Sequence, residues 1–154
     1  MNASPARAAE GYRAGSRPDG LVIGIGAFAV VELALAAFMV VSPHRFYSAI
    51  GPFGNFNAHY LRDVATFEAA LGAGLLISLH LPSWRVPVLA VTTIQYALHT
   101  LNHLLDIDKA DPAWAGYFDF LSLAAGTLLL VWLLRAARAR SGEKPALPKE
   151  GGSS

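Results

Sequence analysis

Apolar residues in this chain gather into four long blocks separated by short polar connections. The first runs from Leu21 to Val41 and is closed by Ser42-Pro43. The second runs from about Ala58 to Leu81, closed by Pro82, and the third from Val86 to Leu105. The fourth runs from about Trp114 to Leu134, after Asp111-Pro112. Each has roughly the 20 residues a helix needs to cross the hydrocarbon core of a bilayer. Pro87 suits the first turn of the third helix, where its missing N–H is harmless. The pattern predicts an all-α fold, an integral membrane antiparallel four-helix bundle over residues 21–134.

The connections have their own signals. Pro43 to Asn57, with Gly51-Pro52, Gly54 and two asparagines, reads as an ordered loop with turns. Its Phe46, Tyr47, Phe53 and Phe56 suit a loop at the headgroup level. Residues 1–20 read as a polar N-terminal tail, and residues 135–154 as a disordered C-terminal tail rich in Lys, Arg, Gly and Ser. Ala34-Leu35-Ala36 resembles a signal-peptide cleavage site. Glu32 interrupts the apolar run just before it, however, and the block continues to Val41, so the segment reads as a retained span.

Composition agrees with the blocks. Apolar residues make up 54% of the 154 residues and charged residues 15%, against roughly 25% charged in an ordinary soluble domain. A net charge of +1 supplies no basic field for nucleic acid. The absence of cysteine excludes disulfides, thiolate metal sites and cysteine nucleophiles. Arg7, Arg13, Arg17, Arg85 and the five Lys and Arg of residues 135–154 fall on one side of the predicted spans, against Arg45, Arg62 and Lys109 on the other. That asymmetry predicts a multi-pass protein of the cell membrane with both termini cytoplasmic. Gly20 with Gly24, Gly72 with Gly74, and Ala124 to Gly126 offer surfaces for close helix packing.

With a rise of about 1.5 Å per residue, position becomes depth. A deeper layer, roughly 13–16 Å below the outer surface by that rise, would hold Glu32, Glu68 and Gln95. A shallower one would hold Asp63, His99, His103 and Asp119, capped by His59 and Asp106. His99 and His103, at i and i+4, share one helical face with Gln95, while His59, Asp63 and Thr66 share another stripe. Glu68 lies nearly opposite His59 and is expected to meet a different neighbour from Asp63, with Glu32 or Tyr96 as the options. Glu32 and Glu68 are the catalytic candidates. At such depth a charged carboxyl loses its water, so they read as protonated carboxyls or as a pair sharing one proton.

A histidine pair one turn apart can chelate one metal, and Asp63, His59, Asp106 or Asp119 could complete the shell. The plainer reading is a pair of interfacial histidines bonded to nearby polar groups. His59, Asp63, His99 and His103 are therefore the metal-ligand candidates, with a transition metal or haem as the cofactor. No nucleophile elbow, phosphate-binding glycine loop, zinc-protease HExxH or dinucleotide fingerprint occurs.

The run from Asn57 to Asp63 (Asn-Ala-His-Tyr-Leu-Arg-Asp), followed by His99 to Asp106 (His-Thr-Leu-Asn-His-Leu-Leu-Asp), resembles a group of uncharacterised four-span bacterial membrane proteins frequent in actinobacteria. These in turn broadly resemble the DoxX-like bundle. The likeness covers about Leu21 to Leu134. It implies the four-helix fold and an association with quinone-linked oxidoreductase complexes, but no residue here maps onto a quinone or electron-transfer motif. The expected function is a small membrane protein whose polar His/Asp/Glu pocket opens to the extracytoplasmic side. It would bind a metal, haem or small lipophilic ligand, with other subunits of a membrane complex or further copies of itself as the expected partners. Two alternatives stand beside it. One is a membrane enzyme on a quinone- or isoprenoid-type substrate using Glu32, Glu68 and Asp63; the other is a structural or assembly role in which the polar cluster is interhelical glue.

Overall fold

A computed structural model of the protein describes residues 19–142; residues 1–18 and 143–154 of the two expected tails lie outside them. The described residues form five helices: α1 (Gly20–Val41), α2 (Pro43–Ala49), α3 (Ala58–His80), α4 (Arg85–Leu105) and α5 (Ala113–Ser141). Local chemistry sets most of their ends. The Asp19 carboxylate accepts the Leu21 N–H at 3.0 Å and opens α1. Asn57 does the same for α3, accepting from His59 and Tyr60; both satisfy N–H groups that have no intrahelical partner. Pro43 and Pro82 close the helices before them. Between α3 and α4, across a single 3-10 turn at Pro82–Trp84, Arg85 reaches back to the carbonyls of Ser78 and Leu79. It thereby caps the end of α3.

Two expectations need correcting. The Pro43 to Asn57 stretch is not all loop, since its first half is the short helix α2. Pro43 starts that helix, and the single buried anchor Phe46 docks it among Ala36, Met39 and Ala65. One anchor in seven residues leaves no period to read. The fourth helix also runs past Leu134 to Ser141. Its last two turns are alanine and arginine, both good helix formers, Ala137 is buried against the core, and Arg140 pairs with Asp19.

Only α1 and α5, among the described residues, are both long enough and apolar enough by composition to cross a membrane. At about 1.5 Å per residue they would be roughly 33 and 44 Å long. The helices α3 and α4, of 23 and 21 residues, are close to α1 in length but devote positions such as Arg62, Asp63, Glu68, Gln95, His99 and His103 to polar groups.

Neighbouring helices run in opposite senses. Gly26 meets Leu79 and Gly72 meets Leu33, so number falls along α1 as it rises along α3. Leu133 meets Gly24 and Arg140 meets Asp19, so α1 and α5 also run in opposite senses, while Tyr96 meets Gly126 across α4 and α5. Gly72 is needed where it is: a Cβ there would stand 2.7 Å from Leu33 Cγ. Of the predicted Gly20 and Gly24 pair, Gly24 packs on Leu133 while Gly20 faces open space. One core cluster, with Leu21, Ile25, Leu75, Leu89, Leu130 and Leu133, fills the end of the molecule near Asp19. The other end is closed by α2 and by the loops around Phe53 and Ala110, which pair as an isolated antiparallel bridge.

Candidate functional site

Beneath that second end lies a cavity of about 430 Å³. α1 contributes Phe28, Val31, Leu35 and Met39 to its walls; Phe46 and Phe53 roof it. α3 brings Val64 and Glu68, α4 brings Gln95, Tyr96, His99 and His103, and α5 brings Phe118, Asp119, Ser122 and Gly126. The lining is mostly apolar, with a few polar side chains aimed inward.

Helical phase decides which of the predicted residues take part. At about 100° per residue, positions 63 and 68 are about 140° apart around α3. Glu68 is turned inward against Glu32 and is buried, so Asp63 is turned outward. Asp63 pairs with His59 at 3.5 Å on the surface, their side chains 55% and 81% exposed. Asp63 therefore lies outside the lining of the cavity and does not complete a shell with His99 and His103. Among the described residues no three of His, Asp and Glu come together as a metal shell. The four metal-ligand candidates instead form two separate pairs.

The second pair is well organised. The rings of His99 and His103 stack with centroids 4.8 Å apart and planes within 9°, and their Nε2 atoms are 3.0 Å apart. A hydrogen bond between them requires a proton on one of the two Nε2 atoms. The Gln95 side-chain amide donates to His99 Nδ1 at 3.5 Å, leaving His99 to donate from Nε2 and His103 to accept there. By this network assignment the His103 hydrogen sits on Nδ1, facing the cavity. Phe53 holds the His103 ring edge-on from the roof, centroids 4.9 Å apart.

Glu32, wholly buried, accepts the Tyr96 hydroxyl proton at 2.5 Å. Its other oxygen, Oε2, has no donor, and the facing Glu68 carboxyl can provide one only by carrying a proton, since ionised carboxylates only accept. Glu32 and Glu68 thus meet, one of the two neighbours offered for Glu68. Tyr96, offered by the sequence as an alternative neighbour, completes the group and is braced edge-on by Phe28.

Four buried side-chain atoms among the described residues lack any hydrogen-bond partner within the protein: Glu32 Oε2, Gln95 Oε1, His103 Nδ1 and Asp119 Oδ2. The last three belong to residues lining the cavity, and the first lies against Glu68, which also lines it. Such atoms each cost about 1–3 kcal/mol when left unpaired. The lining residues other than Glu68, Gln95, Tyr96, His99, His103 and Asp119 escaped sequence reasoning as parts of a site. Ser122 and Gly126 follow Asp119 at helical spacing and were legible in principle. Phe53 sits in a loop whose path no periodicity reports.

Compared with protein-family models, curated proteins and solved structures, the chain matches none.

Proposed function

We propose that this chain is an antiparallel four-helix transmembrane bundle, DoxX-like in outline, that binds a small lipophilic ligand in its polar-lined cavity. Two observations support the membrane part: α1 and α5 are long and apolar enough to cross a bilayer, and every long helix exposes apolar side chains. Val30, Phe67, Leu98 and Leu128, one on each long helix, are between 63% and 71% exposed. Water does not tolerate apolar surface of that extent on every side, whereas lipid does. Both termini then lie on the cytoplasmic side, where Lys and Arg concentrate, and the cavity occupies the extracytoplasmic half. The chain has no cysteine, so single replacements read topology cleanly. Asp108→Cys is expected to react with a membrane-impermeant maleimide on intact cells, and Ser141→Cys to stay unreacted.

The gathering of unpartnered buried polar atoms on one apolar cavity carries the binding part. A ligand with a polar head and an apolar body satisfies both kinds of wall at once. Purified in mild detergent, the protein is expected to carry a lipophilic small molecule in stoichiometric amount, extractable into organic solvent. Asp119→Leu is expected to lose it. Wild type and variant releasing the same background lipids would falsify the binding reading.

A metal-centred version has one observation of its own. His99 and His103 Nε2 atoms lie 3.0 Å apart, within reach of one ion held at about 2.0–2.1 Å by each imidazole. A rise in Tm on adding Zn²⁺, absent in His99→Ala, would favour it.

A further inference from the structure

α1 and α5 meet toward the Asp19 end, where Arg140 pairs with Asp19, Leu133 packs on Gly24, and Gly126 lies beside the Phe28 ring. Nearer the other end, Val31 and Leu35 on α1 and Phe118 and Ser122 on α5 line the cavity. Val31 and Phe118 are also 47% and 62% exposed, and Ser122 is exposed. The same side chains therefore face both the cavity and the outside, and they frame a mouth in the flank of the molecule. α1 and α5 are the two helices apolar enough to cross a bilayer, so in a membrane this mouth opens onto hydrocarbon rather than water.

The polar wall is selective in kind. Gln95 Oε1 can only accept a hydrogen bond, Asp119 accepts when ionised and donates when protonated, and in the proton arrangement above His103 Nδ1 presents its hydrogen. A head group seated there must accept from the imidazole and pair with the Asp119 carboxyl in either protonation state. One hydroxyl does both. An ammonium has no lone pair for His103, and an ether has no proton for an ionised Asp119. A carboxylate has none either, and a charged carboxylate or phosphate finds no Lys or Arg in the lining. At about 30 Å³ for each water-sized group, 430 Å³ holds roughly a dozen heavy atoms.

We infer that the cavity takes an apolar-tailed alcohol, admitted sideways between α1 and α5, with its hydroxyl held by His103 and Asp119. The inference rests on the ligand-binding reading above and deepens it to a chemical class.

The test uses the full chain in lipid nanodiscs and four probes with one tail: 1-dodecanol, dodecyl methyl ether, dodecylamine and dodecanoate. Binding is read by Tm and by native mass spectrometry. Dodecanol is expected to bind about tenfold more tightly than each of the others, the scale of one hydrogen bond. His103→Phe and Asp119→Leu are each expected to remove that preference while leaving a folded protein. Equal binding of all four probes overturns the hydroxyl assignment and leaves the lipophilic cavity standing; binding of none overturns the cavity reading itself. A preference for the amine or the carboxylate also overturns the assignment. For the mouth, the Leu35→Cys/Ser122→Cys variant is compared before and after cross-linking with a bismaleimide. Cross-linking is expected to slow dodecanol uptake at least tenfold, and an unchanged rate overturns the lateral route.

Discussion

The two halves of this molecule are packed by opposite rules. Near Asp19, Leu21, Ile25, Leu75, Leu89, Leu130 and Leu133 are almost completely buried together, and Gly24 brings α5 close to α1. Polar groups there are satisfied: Ser78 and Thr92 bond to carbonyls of their own helices. Near α2, the same four long helices enclose a cavity instead, and the buried atoms without partners collect around it. One half is optimised for packing. The other gives up contacts and hydrogen bonds that the first half keeps.

That contrast breaks most readily in the packed half. Leu75→Ala is expected to lower unfolding stability by about 2–5 kcal/mol, whereas Phe118→Ala at the mouth is expected to stay within about 0.5 kcal/mol. Comparable losses at both positions in denaturant titrations would remove the distinction. In the cavity half the sign reverses. Asp119→Leu deletes a buried, unpartnered carboxyl and is expected to raise the stability of the ligand-free protein by about 1–3 kcal/mol. A destabilised variant would mean that Asp119 has a structural role.

Smaller changes sharpen the boundary between the halves. Thr100 and Thr127 bond across α4 and α5 at 2.9 Å, between the cavity and the packed core. Thr100→Val is expected to cost about 0.6 kcal/mol, the average for such a bond within a membrane. The smallest effect belongs to the far end. Arg140, then the Leu21 N–H, hold the Asp19 carboxyl below its ordinary 3.8. A depressed carboxyl adds stability above that value and loses it as the pH falls through the lowered one. Asp19→Asn is therefore expected to reduce Tm slightly at neutral pH, with the difference from wild type vanishing in acid. A difference independent of pH would show that the charge of Asp19 is not what matters.

Much of the fold was legible because its determinants are local. Block lengths, Asn57, Pro43 and Pro82 place the long helices within a residue or two at nearly every end, with the C-terminus of α5 the exception. The stacking of His99 on His103 follows from a spacing of four. Position along the helices was legible too: Glu32, Glu68, Gln95 and Asp119 all lie in the cavity half. Facing was harder. Asp63 and Glu68 lie within two turns of each other, and which one turns inward depends on where α1 presents Glu32.

By itself, then, the chain determined the kind of element, its length and the level of its polar groups, all properties of short stretches in an apolar setting. Tertiary structure alone decided that His59 and Asp63 face outward, that Phe53 braces His103, and that α1 and α5 part around a cavity. These depend on rotation about each helix axis, and rotation is set by contact with neighbours that lie dozens of residues away.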